Sequence, residues 1–506
     1  MRSLEWLLLA CGFASLYLAV AGPAAKSPSK NSLAALAAGS IGIAVLILHL
    51  AVEGWRWQLL LLYGLTLMMA ARSLRRRLQV RAGESLPPPK RVLWIVPGVL
   101  LLLSGTLALL MPVFRLPEPT GPYKVGTRLL HFVDENRQET FGEGKGGKRE
   151  LLVQVWYPAE GTEDRQVEPF VPEGHIMLDA MAANFKLPEF LLDYLRYIPS
   201  HSYAQSALAS SEPSYPLLLL NHGFGTSRIY HTSQAEELAS HGYIVAGIDH
   251  TYNTAATVFP DGRVARSNKL VQVNSPESRD KVGRVWTQDV TFTLDQFEKL
   301  NKGQIEQGFQ GKIDLSRIGV FGHSFGGAAS YDAAYDPRVK AGVDLDGTLY
   351  GFRAKPGVAK PFLLMYSASS FDAYNKTRVH YKYTEEELRA VGSTKQEWKE
   401  QMPQAEREMD QIQRIVRNGT AQVLYIEGTQ HYNFTDAQLI SPLLRWVKLT
   451  GEIGGQRSGE IVRRNLLEFF DKQLKQAGAD QTQREKENAE YPEVKDGTSI
   501  FAQEVK

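Results

Sequence analysis

The stretch RIGVFGHSFGGAAS, residues 317–330, decides how the rest of the chain is read. Its first half, RIGVFG, has the short apolar run of a buried strand, and its second half opens into the small residues of a helix. At the junction GHSFG, Gly322 to Gly326, forms a Gly-x-Ser-x-Gly pattern. A serine on a sharp strand-to-helix turn is held with its hydroxyl exposed, and the flanking glycines leave room for close backbone. The helix start behind it directs N–H groups toward any anion formed at the serine. A bare pentapeptide recurs by chance. Strand, turn and helix together point to Ser324 as a nucleophile, against the plainer reading of a Gly-rich structural turn.

A serine hydroxyl is a poor nucleophile at neutral pH and needs a base with an orienting acid. In a strand–elbow–helix arrangement these follow in the order Ser, Asp or Glu, His. The next strand ends in VDLDGT, which offers Asp344 and Asp346. Asp346 stands at the strand end before Gly347 and is the favoured acid. Asp344, two residues earlier, points to the same face but deeper. Only His380 and His431 follow. His380 lies in a highly charged stretch, whereas His431 sits in YIEGTQHYNFTD directly after the last expected strand, and is the expected base.

An oxyanion site needs two preorganised N–H donors. One should be Phe325, next to the nucleophile. The other should follow an earlier strand, where LLLLNHGFGTS supplies His222-Gly223-Phe224-Gly225, with Phe224 as donor. His222 reads as a structural hydrogen-bonding residue. His250, in IDHTYN, either lines the site or fills the core. No metal-ligand spacing and no dinucleotide fingerprint occurs, so no cofactor is expected.

Around this core, short apolar runs alternate with helical patterns. Strands are expected at 128–133, 151–157, 216–221, 243–249, 317–322, 340–345, 361–367 and 421–427. Several are apolar on both faces, as strands covered on both sides must be. RVWTQDVTFTLDQFEKL (284–300) places Trp286, Val290, Leu294 and Phe297 on one helical stripe, and 441–449 and 461–474 also read as helical. The class is therefore α/β with a mostly parallel sheet. The first two strands, joined by a Gly-rich turn at 142–147, read as an antiparallel edge hairpin. Residues 168–206 and 372–418 read as cap excursions above the sheet, and 477–506 as a loose polar tail. In PEFLLDYLRYI (188–198) an α-helical period groups Phe190, Leu191, Tyr194 and Leu195. That face either packs on the domain core or borders an acyl pocket or the bilayer.

Residues 1–114 differ from the rest. They carry 11 Lys+Arg against 3 Asp+Glu, a balance of +8, and four apolar runs at about 4–22, 33–52, 55–71 and 92–114. Each is near the roughly 20 residues that cross a bilayer. The first also has signal-peptide features, Arg2 before it and AVAGPAA after it, but three further runs follow. The stretch 72–91 holds Arg72, Arg75, Arg76, Arg77, Arg81, Lys90 and Arg91 against Glu84, and 23–32 holds Lys26 and Lys30. The positive-inside bias puts both in the cytoplasm, and so a catalytic domain at 127–476, after a Pro/Gly linker at 115–126, outside. The remainder carries 46 basic and 52 acidic residues, without a basic stripe for nucleic acid. The single cysteine, Cys11, lies in an apolar run and does not decide the compartment.

At LLLLNHGFGTSRIYHTSQAEELASHGYIVAGIDH, DVTFTLDQFEKL, RIGVFGHSFGGAAS, VDLDG and GTQHYNFTD the chain resembles the α/β-hydrolase superfamily. More narrowly, it looks like the plasma-type (group seven) platelet-activating factor acetylhydrolases and their bacterial relatives, over about residues 125–450. The resemblance implies a Ser324–Asp346–His431 triad, oxyanion donors at Phe224 and Phe325, and calcium-independent cleavage of short or oxidised acyl chains from phospholipids. The partner it implies is a lipid or small ester, and oligomeric state stays open. The apolar N-terminal part and the 85-residue gap between Asp346 and His431 depart from the plasma enzymes. They leave open a polyester- or cutinase-like esterase, a general carboxylesterase, and an inactive interaction protein on a hydrolase scaffold.

Overall fold

The computed structural model describes residues 1–21, 28–84, 91–142, 146–351, 360–390, 394–477 and 490–503. Lys26, Lys90, the centre of the expected 142–147 turn and residues 478–489 of the expected tail lie outside the described residues. The chain divides into two compact units. One comprises Met1–Arg115 with two insertions, Glu189–Ile198 and Ile440–Leu443; the other is the remainder.

Among the described residues the first unit holds four α-helices, α1 (Ser3–Ala21), α2 (Pro28–Val52), α3 (Leu60–Arg81) and α4 (Ile95–Leu110). Four helical stretches here, Ser3–Val20, Lys30–Val52, Trp57–Arg81 and Val92–Leu110, are long and apolar enough to cross a membrane. The third is longer than the apolar run alone predicts. Leu, Gln and Arg are good helix formers, so the helix continues through the arginines rather than stopping at residue 71. Leu8, Leu59, Leu62, Leu65, Met69 and Leu101 fill the interior. Inside it Arg56 donates to both oxygens of Glu5 at 2.8 and 2.9 Å, the pairing that a buried charge requires.

The insertion Glu189–Tyr197 is a 3-10 helix. Leu192, Tyr194, Leu195 and Ile198 are buried, so Tyr194 and Leu195 of the expected face are covered, while Phe190 is exposed and Leu192, three residues from both Glu189 and Leu195, is buried instead. The Trp57 indole donates to the Leu191 carbonyl at 3.4 Å, and the Tyr197 hydroxyl donates to the Trp55 carbonyl at 2.7 Å. In the second insertion the Ser441 hydroxyl donates to the Leu110 carbonyl at 2.6 Å, and Tyr194 donates to the Ile440 carbonyl at 2.8 Å.

The second unit is built on strands β1 (Lys124–Gln138), β2 (Lys148–Glu160), β3 (Val167–Pro169), β4 (Pro199–Ala204), β5 (Ala207–Leu208), β6 (Tyr215–Asn221), β7 (Ile244–Asp249), β8 (Ala256–Val258), β9 (Val264–Arg266), β10 (Ile313–His323), β11 (Val339–Leu345), β12 (Phe362–Ser367), β13 (Ala421–Ile426) and β14 (Val494–Asp496). The main sheet runs β14-β13-β12-β11-β10-β6-β7-β2-β1-β4-β3 among the described residues, with β5 on β2. From β13 through β7 neighbouring strands are parallel, and β2 joins β7 antiparallel. All eight expected strands are present, and β1 and β2 form the expected antiparallel pair.

Burial on both faces explains the unbroken apolar runs. Leu217, Leu219 and Val320 face one cluster with Val290, Leu294 and Phe297 of helix Pro276–Asn301. Leu218, Leu220 and Phe321 face the other, with Leu238, Leu466 and Phe470. Three stretches differ from expectation. Residues 199–204 in the first excursion form β4, parallel to β1. Only Leu443–Trp446 of 441–449 is helical. Within the expected tail, β14 pairs with β13 and Phe501 is buried, so two apolar points in a polar segment suffice to dock an edge strand.

Candidate active site

Ser324 stands between β10 and the helix Phe325–Ala333, with φ +56° and ψ −122°. This is costly backbone for a residue with a side chain, and such strain clusters at functional sites. Two contacts enforce it. A Cβ on Gly322 would lie 2.4 Å from the Gly326 carbonyl oxygen, and one on Gly326 would lie 2.3 Å from the carbonyl oxygens of Asn221 and His222. The Ser324 N–H donates to the Leu345 carbonyl at 2.9 Å, which ties the turn to the end of β11.

That strand end carries Asp346. Its backbone is also left-handed, φ +53°, which turns the carboxylate out of the sheet. One oxygen accepts the Ser367 N–H at 2.6 Å, and the other accepts His431 Nδ1–H at 2.8 Å. The bond at Nδ1 fixes the ring and leaves Nε2 for other work. The His431 side chain is 41% exposed, so the ring is open to a reactant, while the Asp346 carboxylate is fully covered. The Ser324 hydroxyl makes no hydrogen bond among the described residues. Catalytic hydrogen bonds commonly tighten only when substrate is bound.

Asp344 occupies a different place. Its Oδ1 accepts the Gly347 N–H at 2.8 Å, its Oδ2 has no hydrogen-bond partner among the described residues, and the residue is fully buried. Burial pushes its carboxyl well above the usual range.

The loop after β6 lies over the serine. A Cβ on Gly223 would lie 3.4 Å from the Ser324 Cβ. Thr226 returns its N–H and hydroxyl to the Gly223 carbonyl at 3.0 and 2.8 Å, and the Gly225 N–H donates to Asn253 at 2.8 Å. The Asn184 amide donates to the Gly225 carbonyl at 2.8 Å. Phe224 is thus held between anchored neighbours, its ring 5.9 Å from that of Phe325. Phe325 packs in turn on Trp286 and Tyr350, at 5.0 and 5.7 Å.

His222 is buried and accepts the His250 N–H on Nε2 at 3.2 Å, a structural role. His250 is equally buried, stacked on Trp286 at 3.8 Å and bonded to Asp289 and Asn221. It fills the core beneath the site rather than lining it. His380 is 72% exposed beside Glu406. Three positioning contacts escaped the sequence: the Ser367 N–H on Asp346, the Asn184 amide on Gly225, and His323. The Nε2–H of His323 donates to the His431 carbonyl at 3.0 Å, and the two rings are 4.5 Å apart. The only available signal was the His inside GHSFG. Among the described residues no group of three or more His, Cys, Asp or Glu is placed to hold a metal ion.

A family profile described as platelet-activating factor acetylhydrolase, isoform II, matches residues 110–491. A probable 1-alkyl-2-acetylglycerophosphocholine esterase of Arthroderma benhamiae is 26% identical over 407 residues, covering 75% of this chain and 93% of the relative. The platelet-activating factor acetylhydrolase of Cavia porcellus is 23% identical, covering 71% and 78%. Among solved structures, a ferulic acid esterase from Streptomyces cinnamoneus superposes with TM-score 0.58 at 26% identity, over 76% of this chain and 100% of that one. Sheet order, strained elbow and these likenesses together define a carboxylic ester hydrolase of the α/β-hydrolase fold. The chain belongs to the platelet-activating factor acetylhydrolase, isoform II, family.

Proposed function

We propose that the protein is a membrane-anchored serine esterase that removes short or modified acyl groups from phospholipids, with Ser324, His431 and Asp346 as its triad. The observation that carries this is the 2.8 Å bond from His431 Nδ1–H to the buried Asp346, beside a strained Ser324 elbow. In this reading Ser324 Oγ attacks the ester carbonyl and His431 Nε2 takes its proton. Asp346 stabilises the imidazolium. The Phe224 and Phe325 N–H groups receive the developing oxyanion; in comparable sites one donor is worth roughly 10²–10³ in rate. His431 returns the proton to the departing lysolipid oxygen, which leaves an acyl group on Ser324. His431 then deprotonates a water that attacks this acyl-enzyme and releases the free acid and Ser324. The sequence of steps calls for no cofactor.

The names of the relatives favour a glycerophospholipid with a short acyl group at the second position. We place the catalytic unit outside the cytoplasm. The support is the arginine-rich C-terminal half of α3, with Arg72, Arg75, Arg76, Arg77 and Arg81. Purified protein should release acetate from a 1-alkyl-2-acetyl phospholipid much faster than long acyl chains from a diacyl one. Turnover of p-nitrophenyl or feruloyl esters with no turnover of phospholipid would instead make it a general carboxylesterase.

A further inference from the structure

One carbonyl beside the serine receives more hydrogen bonds than its turn requires. The Gly223 oxygen accepts the Thr226 N–H at 3.0 Å, which is enough to close the turn. It also accepts the Thr226 hydroxyl at 2.8 Å and the His222 ring at 2.7 Å. A carbonyl oxygen has two lone pairs, so a third donor is an excess that a simple turn does not explain. The donor atom of His222 follows from its other ring nitrogen. Nε2 accepts the His250 backbone N–H at 3.2 Å, so the proton of the neutral ring is on Nδ1 and faces Gly223. Full burial keeps the ring neutral by pushing its pKa well below the ordinary value. The Nε2 bond serves the fold. The Nδ1 bond acts on the peptide unit that joins Gly223 to Phe224. The N–H at the far end of that unit makes no hydrogen bond among the described residues.

We propose that His222 and Thr226 are positioning residues for catalysis: by gripping the Gly223 carbonyl they aim and polarise the Phe224 N–H that receives the oxyanion. The proposal rests on the serine-esterase reading above and gives two side chains a task that reading leaves to the backbone alone. A trans peptide is planar, with its C=O and N–H pointing in opposite directions, so whatever holds the oxygen sets where the hydrogen points. Donors on the oxygen also draw electron density through the amide. The N–H becomes more positive, and hydrogen bonds linked in this way strengthen by about 10–30% each. A donor prepared beforehand needs no reorganisation when charge develops on the substrate. The following peptides are held as well. The Gly225 N–H donates to the Asn253 carbonyl at 2.8 Å, and the Thr226 carbonyl accepts the Ala255 N–H at 2.7 Å and the Thr254 hydroxyl at 2.8 Å. A Cβ on Gly223 would stand 3.4 Å from the Ser324 Cβ, so the clamped peptide begins beside the nucleophile. Neither side chain has to touch the substrate.

The test uses the full chain in detergent, with p-nitrophenyl acetate as ester and an alkyl trifluoromethyl ketone as inhibitor. Ser324 Oγ adds to the ketone carbon, its proton passes to His431, and the hemiketal oxyanion occupies the oxyanion site. Thr226→Val keeps the N–H of the turn and removes only the hydroxyl. It should lower kcat by about fivefold to tenfold, a fraction of the roughly 10²–10³ lost with a whole donor, with KM within about twofold. The inhibition constant of the ketone should rise by the same factor as kcat falls, and Thr226→Ser should restore both. His222→Ala and His222→Asn separate the clamp from the fold. Both lose the Nε2 contact and should melt at lower temperature. Only Asn keeps a donor at the position of Nδ1, so it should recover most of the kcat that Ala loses. Unchanged kcat in Thr226→Val and His222→Ala would overturn the proposal. So would a fall in kcat without weaker ketone binding, or a His222→Asn variant as inactive as His222→Ala, since activity would then follow the fold. Wild-type protein that hydrolyses the ester but resists the ketone, or normal turnover by Ser324→Ala, would remove the serine-esterase reading itself, and this inference with it.

Discussion

At the scale of single residues, the site rests on two positions that adopt left-handed backbone without being glycine, Ser324 and Asp346. Each stands immediately after a central strand, where a reversed φ lifts a side chain clear of the sheet. The sequence order Ser, Asp, His and the few residues of each type at strand ends singled out Ser324, Asp346 and His431 as candidates, and the structure bonds His431 to Asp346. Asp346 was favoured over Asp344 from its place at the strand end, and the structure bonds it, and not Asp344, to His431. Two residues apart on one strand they share a face, and depth separates a buried carboxyl raised by burial from one bonded to His431. Ser367 and Asn184 were not legible, since backbone and amide contacts of this kind leave no pattern of residue types. Asp346→Asn should lower kcat by roughly 10⁴ while leaving the melting temperature nearly unchanged, because the imidazole loses its orienting partner. Asp344→Asn should keep kcat within about tenfold, since Asp344 makes no bond to His431 and an amide oxygen can still accept the Gly347 N–H. The opposite ranking in steady-state kinetics would transfer the acid role to Asp344.

At the scale of elements, the parallel strands were readable from runs apolar on both faces, and helix Pro276–Asn301 from its 3.6-residue stripe. The 3-10 helix at Glu189–Tyr197 was misread because eleven residues with mixed spacing fit periods of 3 and 3.6 almost equally well. Strands β3, β4 and β14 are too short and polar to show alternation. Helix Thr232–Ser240 hides a titration that the sequence gives no hint of. Glu236 on this helix is fully buried, accepting the His201 N–H at 2.7 Å and the Ser202 hydroxyl at 2.5 Å on one oxygen, while the other has no hydrogen-bond partner among the described residues. Burial pushes its carboxyl up to about 8. A carboxyl raised in the folded state contributes stability that is complete below the unfolded value near 4.5 and is lost as pH rises through about 8. His231, held down to about 4 by burial, acts in the opposite sense between there and 6.5. Comparison with Glu236→Gln isolates the first effect, because the amide carbonyl can accept the same two hydrogen bonds. The variant should gain stability over wild type from pH 5 to pH 8, reaching about 2–4 kcal/mol at the upper end. A difference that stays constant across that range in thermal melts would show that Glu236 is ionised in the folded protein.

At the scale of the whole molecule, hydropathy alone located the four membrane-length helices, because the need for about 20 apolar residues is a local property. It did not show that Glu189–Ile198 and Ile440–Leu443 join the unit that holds these helices, since pairing between segments hundreds of residues apart has no local period. The charge asymmetry makes a topological prediction. A reporter fused after Arg81 should read as cytoplasmic, and protease added to spheroplasts should degrade residues 127–476. A protected catalytic unit would reverse the orientation. The central claim is that Ser324 is the nucleophile. Its most direct test is labelling of the full chain with a fluorophosphonate, followed by mapping of the modified peptide by mass spectrometry. The account predicts one adduct, on Ser324 in the peptide containing GHSFGG, absent from Ser324→Ala and strongly slowed in His431→Ala. An adduct on another residue, or normal ester turnover by Ser324→Ala, would contradict it.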